Sequence, residues 1–454
     1  MRPDLSGERH IHVVGIGGAG MSAIATVLAA MGHRVSGSDL KTSPALERLR
    51  SLGLEVHVGH RADQVGGADL VAVSTAIPPT NPEVAEAGRR GLPVHSRADL
   101  LGAITALRRT IAVSGTHGKT TTSSILSLIL VEAGWRPSFI VGGDVNEIGS
   151  GASWSDGEWL VVEADESDGT FLELSTEVAL VTSVEPDHLE HYGSFDALRQ
   201  AFARFLAGAP TGRVVCADDP EAALLGRAAG AVSYGRGEEA DFLVTDVELG
   251  RSSSAFFLRS GDEVLVRARL SVPGAHNVLN AAAAATTALR LGVGPEAVAA
   301  ALARFTGVAR RFQFRGEAGG VTFIDDYAHL PGEVVPTLEA VANGGWSRIV
   351  CVFQPHRFSR TAALWRDFAG AFDLADLLVV TDVYPAGEAH RPGVSGKLIV
   401  DAVLDAEPAK AVAYLPNRAE LVGYLRRSLR PGDVCLTLGA GDLTTLADEL
   451  LEAG

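Results

Sequence analysis

At 454 residues the chain is too long for a single core, and two or three domains are expected. Its hydrophobic share of 46% and charged share of 21% are those of a globular protein, not a disordered or membrane-spanning one. A formal net charge of −16 argues against non-specific nucleic-acid binding, so a polyanionic ligand must be held by a few local cations.

The first segment opens with a strand at Ile11–Val14, a glycine turn and a helix from about Ala19 to Met31. Gly15-Ile16-Gly17-Gly18-Ala19-Gly20 fits GxGxxG between strand and helix, where free amides and the helix dipole favour a diphosphate. His33–Gly37 reads as a second strand, and Asp39 at its end sits where an acid commonly receives a ribose hydroxyl. Taken alone, the turn is open to a dinucleotide, a UDP-sugar or a purely structural reading. The Pro/Asn-rich stretch 77–84 reads as a loop, and Ala98–Leu107 as a closing helix.

A second segment begins with the strand TIAVSG after Arg109 and continues through Gly115-Thr116-His117-Gly118-Lys119-Thr120 into a long helix. This is a phosphate loop in its proper context, although GxxGKT is two residues shorter than the common spacing. Backbone amides cradle phosphates there, Lys119 neutralises β/γ oxygens, and the Thr120 hydroxyl is placed for Mg²⁺. Lys119 is one of only four lysines, with Lys41, Lys397 and Lys410.

Apolar strands are expected at Trp159–Glu163, Val178–Val184 and Arg213–Ala217. Two of them end in acidic clusters, EADESD (163–168) and EPDHLEH (185–191), which makes Glu163 and His188 candidates for metal contacts on the phosphate-loop edge. From about Asp241 to Val272 the pattern alternates with period two, as antiparallel strands do. Asn277–Leu291 is a helix, and His276, Asn277 and Asn280 near its start suit an adenine edge.

The third segment follows Arg310 and Arg311 and opens with the strand VTFIDD (321–326). Further strands at 348–353, 377–382, 411–415 and 433–438 alternate with helices. DDYAHLP (325–331) and QPHRFSR (354–360) both follow strands and offer Asp325, Tyr327, His329, His356, Arg357 and Arg360; arginines there suit carboxylates. The whole pattern is α/β with crossover helices, with boundaries expected near 107 and 310. Cys216, Cys351 and Cys435 are isolated, without metal-ligand spacing, and are expected as reduced core residues. With no signal-peptide segment and no apolar run of the ~20 residues a membrane span needs, a cytoplasmic location is expected.

In chain order, GIGGAGMS, STAI, GTHGKTTT, EADESD, EPDHLE, HNVLNA, RRF, DDYAH, QPHRFSRT and LGAGD together resemble the Mur ligase family, and within it the alanine-adding branch. The resemblance implies three α/β domains: Rossmann-like 1–107 for UDP, a central phosphate-loop ATPase 108–309 with a mostly parallel sheet plus antiparallel strands, and Rossmann-like 310–454, which closes over the amino acid. It implies ATP with Mg²⁺, or Mn²⁺ in its place, and UDP-N-acetylmuramate and L-alanine as substrates; the sequence leaves monomer and dimer both open. By matching positions, Gly115, Thr116, His117, Gly118, Lys119, Thr120 and Thr121 would hold ATP phosphates, and Thr120, Glu163 and His188 the metal. His276, Asn277 and Asn280 match positions near adenine, Arg311 one near the triphosphate, and Asp325 a nucleotide-side position. Gly15, Gly17, Gly18, Gly20, Asp39, His60 and Ser74 would bind the UDP part; Tyr327, His329, Arg357 and Arg360 match the region where alanine meets the muramoyl carboxylate.

Two departures stand out. Leu330 and Gly332 replace a histidine and a threonine of the usual DDYGHHPTE. No lysine occurs between Lys119 and Lys397, whereas sister ligases place a carbamylated lysine after the DHL motif. The alternatives are a ligase recycling a preformed tripeptide, a nicotinamide-dependent dehydrogenase, and a non-catalytic sensor of UDP-muramoyl compounds.

Overall fold

Apolar runs bounded by glycine turns form three sheets in a computed structural model that describes residues 2–74 and 76–452. Thr75 of the STAI stretch lies outside the described residues. In the first sheet, β1 (His10–Val14), β2 (Arg34–Asp39), β3 (Glu55–Val58), β4 (Leu70–Val73) and β5 (Val94–Ser96) run parallel in the order β3-β2-β1-β4-β5. The order reverses direction at β1, so the glycine turn leaves the sheet at its topological switch point. Helix formation at 82 departs from the loop expected over 77–84. Asn81 caps Pro82–Arg90, accepting from the amides of Glu83 and Val84, and Pro82 is preset for a first helical turn.

The second sheet contains β6 (Arg109–Ser114), β7 (Ser138–Val145), β8 (Ser150–Ser153), β9 (Trp159–Glu163), β10 (Val178–Val181), β11 (Gly212–Cys216), β12 (Val232–Gly235), β13 (Phe242–Leu249), β14 (Ser254–Ser260) and β15 (Glu263–Leu270). Their order is β15-β14-β13-β12-β11-β10-β6-β9-β7-β8, with β6 parallel to β9 and β10. The period-two region forms β13 to β15, which extend this sheet, β13 pairing parallel with β12. The two-residue connection between β14 and β15 allows only an antiparallel hairpin.

In the third sheet, β16 (Gln313–Ala318), β17 (Val321–Asp326), β18 (Arg348–Phe353), β19 (Leu377–Val380), β20 (Val412–Tyr414) and β21 (Asp433–Leu438) take the order β16-β17-β21-β18-β19-β20. Only β16, an edge strand the sequence did not reveal, is antiparallel.

Contacts group the chain into two compact units. One holds the chain up to Thr245 with Phe257–Ala268 and Leu279–Arg304; the other holds Asp246–Phe256, Arg269–Val278 and everything from Phe305 onward. Within the first unit a single apolar cluster runs from Leu5 and Ile24 through Leu101 to Leu160, Phe171 and Phe202. A bidentate pair from Arg48 to Asp144, at 2.7 and 2.6 Å, joins the helix Pro44–Ser51 to β7. Cys216, Cys351 and Cys435 are buried free thiols. Among the described residues no helix is long and apolar enough to cross a membrane.

Candidate functional site

The glycine turn is braced from two sides. The amides of Gly15 and Ile16 donate to the Ser38 carbonyl at 2.8 and 3.0 Å, and the Gly17 amide donates to Asp39 Oδ2 at 2.9 Å. A Cβ at Gly17 would lie 2.4 Å from Leu46 Cδ1 and 2.9 Å from Asp39 Oδ2, so any larger residue would have to push both side chains aside, and with Asp39 the hydrogen bond that braces the turn. Gly18 caps the helix Ala19–Ala30 in extended backbone, Gly20 lies under the Arg97 guanidinium, and Ser74 sits beside Gly15. Asp39 is thus a support of the loop, with one carboxylate oxygen already engaged. His60 follows β3 and hydrogen-bonds Ser38 Oγ at 2.8 Å.

The phosphate loop leaves β6 and is clamped to the segment after β10. The Thr116 amide donates to the Ser183 carbonyl, the His117 amide to Ser183 Oγ, and the Glu185 amide to Thr116 Oγ1. His117 Nε2 lies 3.1 Å from Glu185 Oε2. Gly118 has φ +79°, and a Cβ there would lie 2.3 Å from Asn280 Oδ1. Asn280 therefore packs against the loop, and Thr122 Oγ1 donates to it at 3.3 Å. Gly115 and Gly118 let the chain turn sharply into the helix Lys119–Glu132, whose first turn holds Thr120 and Thr121, both buried.

Thr120 Oγ1 donates to Glu163 Oε1 at 3.0 Å, and the Gly142 amide donates to Glu163 Oε2 at 2.6 Å. A hydroxyl and an oriented carboxylate at the phosphate-loop end are hard oxygen donors, the set Mg²⁺ prefers. His188 lies beyond the end of β10, at the start of the short helix Leu189–Tyr192, in left-handed backbone at φ +54°, with Nε2 3.2 Å from Asp187 Oδ2.

Lys119 is folded back: its Nζ donates to the Gly115 carbonyl at 2.6 Å and to Glu166 Oε1 at 2.9 Å. Burial works against its charge, but the Glu166 and Asp165 carboxylates outweigh that and hold its pKa above the ordinary lysine value. Burial pushes Glu166 up to about 7 against the pull of Lys119. The pair is one shared charge system, and its attraction keeps Lys119 protonated. Sequence reading missed Glu166. Its signal was slight, a third carboxylate in a cluster whose first member already had a role.

In the second unit a polar cluster gathers after β17 and β18. Asp325 is buried and accepts from Thr437 Oγ1 at 2.6 Å and Thr444 Oγ1 at 2.7 Å, with Arg310 Nε 3.7 Å away. Its carboxylate thus secures the strand ends. Arg310 and Arg311 lie over the Tyr327 ring at 5.0 and 4.9 Å, and Arg310 also binds the carbonyls of Gly439 and Gly441. His329 Nδ1 contacts the Tyr327 carbonyl at 3.0 Å and Glu333 Oε2 at 3.1 Å, and its ring meets His356 edge-on. Arg360 donates to His356 Nδ1 at 3.1 Å, which leaves that imidazole neutral. Burial lowers His329 to about 4, with Glu333 resisting; burial, His329 and Arg360 lower His356 to about 3. Arg357 has φ +68° at the start of Phe358–Leu364, and its amide is pinned to the Tyr384 carbonyl. Leu330, where a histidine is usual, is buried and leads into Pro331–Ala342; Glu333 accepts from the amides of His329 and Leu330. Of the proposed adenine-side residues, Asn277 donates to the Pro273 carbonyl at 2.7 Å. His276 is lowered to about 4 by burial and by Arg311.

A phosphate loop on a parallel sheet, with a lysine, a threonine and a carboxylate converging on it, defines a nucleotide-dependent enzyme of the phosphate-loop class. Family models described as the Mur ligase family catalytic domain, middle domain and glutamate ligase domain match residues 10–109, 113–288 and 310–441. The chain belongs to the Mur ligase family. It is 45% identical to a UDP-N-acetylmuramate–L-alanine ligase of Pelotomaculum thermopropionicum, over 98% of this chain and 97% of that one. A Rubrobacter xylanophilus protein of the same name is 46% identical, over 97% and 99%. Among solved structures, the UDP-N-acetylmuramate–alanine ligase of Thermotoga maritima superposes with a TM-score of 0.85 at 31% identity, covering 98% of this chain and 99% of that one. A murein peptide ligase of Psychrobacter arcticus, at 23% identity and TM-score 0.71, shares the fold.

Proposed function

We propose that this enzyme joins L-alanine to UDP-N-acetylmuramate at the expense of ATP, giving UDP-N-acetylmuramoyl-L-alanine, ADP and phosphate in the cytoplasm, as a step of peptidoglycan precursor synthesis. The observation that carries the reading is near-full-length identity of 45–46% to ligases of that name, together with an intact Lys119–Thr120–Glu163 loop. A carboxylate oxygen is a poor leaving group at neutral pH, so the lactyl carboxylate must first take the γ-phosphoryl group. The alanine amine then attacks the acyl phosphate, and phosphate leaves.

The protein's part is positioning and charge neutralisation. Amides of the loop from Gly115 to Thr120 cradle the phosphates. Lys119, released from Glu166, meets the β/γ oxygens. Thr120 and Glu163, with His188 from the segment after β10, would hold Mg²⁺, which when bound supplies further neutralisation of the triphosphate. The glycine turn with Ser74 and His60 holds the UDP moiety. Arg357 and Arg360 pair with carboxylates, while Tyr327 and His329 line the amino-acid side. His276, Asn277, Asn280 and Arg311 serve the nucleotide, and Asp325 supports that side through Thr444.

Phosphate release from ATP tests the assignment. Release that requires both UDP-N-acetylmuramate and L-alanine is the expected result. Release with the L-Ala–γ-D-Glu–diaminopimelate tripeptide but not with alanine would move the enzyme to recycling, and none with either would leave the sensor reading.

A further inference from the structure

Behind the glycine turn lies a row of buried polar side chains that no substrate contact so far explains. His10 Nδ1 lies 2.8 Å from the Gly67 carbonyl. His10 Nε2 and His12 Nδ1 each lie 2.9 Å from Ser36 Oγ. His12 Nε2 faces Glu83 Oε1 at 3.7 Å, both side chains being 0% exposed, and it has no other partner. On the far side of Glu83, Ser38 Oγ donates to Oε2 at 2.5 Å and lies 2.8 Å from His60 Nδ1, which itself faces Glu83 Oε2 at 3.3 Å.

From the Gly67 carbonyl to His12 Nδ1 there are three hydrogen-bonded gaps, and two ring N–H groups with the Ser36 hydroxyl supply the three hydrogens they need. The 3.7 Å between His12 Nε2 and Glu83 Oε1 is a charge-range contact, longer than a hydrogen bond. Burial works to raise Glu83, but the Ser38 hydroxyl and the neighbouring His12 ring outweigh it and hold its carboxyl below the ordinary carboxylate range.

Beyond Glu83 the same logic runs outward. The Ser38 hydroxyl hydrogen is spent on Glu83, so the His60 nitrogen that meets the Ser38 oxygen must be an N–H. His60 Nε2 is left as the ring's only acceptor. Ser38 is also the residue whose carbonyl receives the Gly15 and Ile16 amides, so one residue ties the row to the glycine turn.

We propose that Glu83 is a positioning residue for the UDP-sugar: directly and through Ser38 it locks His60 in the Nδ1–H tautomer, so that Nε2 accepts a hydrogen bond from an N–H or O–H donor of the uridine nucleotide. This rests on the assignment of the turn and His60 to the UDP moiety. A proton moved onto Glu83 would reverse Ser38 and turn Nε2 into a donor, mismatched to that group.

The test is steady-state kinetics of the full chain at saturating ATP and alanine, varying UDP-N-acetylmuramate. His60→Ala and Glu83→Gln should each raise KM about tenfold, the scale of one hydrogen bond, with kcat nearly unchanged. Because Glu83 acts through His60, the double variant should be no worse than His60→Ala. Ser38→Ala, which removes the bridging hydroxyl and leaves only the 3.3 Å contact of Glu83 with His60, should reproduce part of the KM effect and serves if Glu83→Gln fails to fold. Additive effects of Glu83→Gln and His60→Ala overturn the proposal. So does a KM rise in His60→Ala that neither Glu83→Gln nor Ser38→Ala shares, with the UDP-sugar assignment then left standing. A normal KM in His60→Ala removes that assignment and the proposal together.

Discussion

Lowering the pH should unfold the second unit well before ordinary acid denaturation. His276 and His329 are depressed to about 4 and His356 to about 3, while Asp326 is raised by burial to about 6. Unfolded histidines titrate near 6.5, so below that pH the unfolded chain takes up as many as three protons that the folded unit refuses. The sign is therefore destabilising as pH falls, in the window from about 6.5 down to about 4. Asp326 acts the other way: its folded form holds a proton up to about pH 6, which offsets one of the three between about 4 and 6. The net of about two protons gives a slope of about 2–3 kcal/mol per pH unit near pH 5. A drop from pH 6.5 to 4.5 then removes about 4–5 kcal/mol, a large share of a typical 5–15 kcal/mol. Hydrogen exchange read by mass spectrometry on peptides covering β17, β18 and β21 reports this unit separately from the first. His329→Gln with His356→Gln, which cannot take up those protons, should flatten the slope. Stability of these strands that is constant from pH 7 to 5, or a slope unchanged in the double variant, would refute the reasoning.

Two further outcomes concern the phosphate loop. Lys119→Ala should lower turnover by about 10²–10³, the scale for losing one key electrostatic group, and normal turnover would falsify the phosphate-loop assignment. Glu163→Gln keeps the Gly142 contact but weakens a hard-oxygen donor; half-saturation for Mg²⁺ should rise about tenfold or more while KM for the UDP-sugar holds, and an unchanged Mg²⁺ titration would remove Glu163 from the metal set.

Much of this was readable in the residues. GTHGKT sits between an apolar strand and a helix, and VTFIDD with its following turn recurs unchanged as β17. What the pattern hid has physical reasons. The stretch from Ser138 to Ser153, with its four glycines, makes the edge pair β7 and β8, where side-chain periodicity is thin. The helix beginning at Pro82 was masked because its proline and asparagine, turn residues by composition, act here as first-turn residue and cap. Asp39 and Asp325 stand at ligand-facing strand ends, yet their carboxylates are engaged by Gly17 and by Thr437 and Thr444, partners that no linear spacing reveals. Glu83 lies far from the glycine turn in sequence and reaches it through Ser38 and the fold of the first sheet.

The shared apolar cluster of the first unit bears on how the enzyme can be dissected or recombined. Because Ile24, Leu101, Leu160 and Phe171 belong to one continuous core, a cut after Leu107 would leave two raw greasy faces instead of two finished modules. A fragment ending there should aggregate unless the facing half is co-expressed. Chimaeras that exchange the first sheet between relatives must carry over the matching face, the Arg48–Asp144 clasp included. Heritable change in the first sheet is thereby tethered to change in the phosphate-loop sheet.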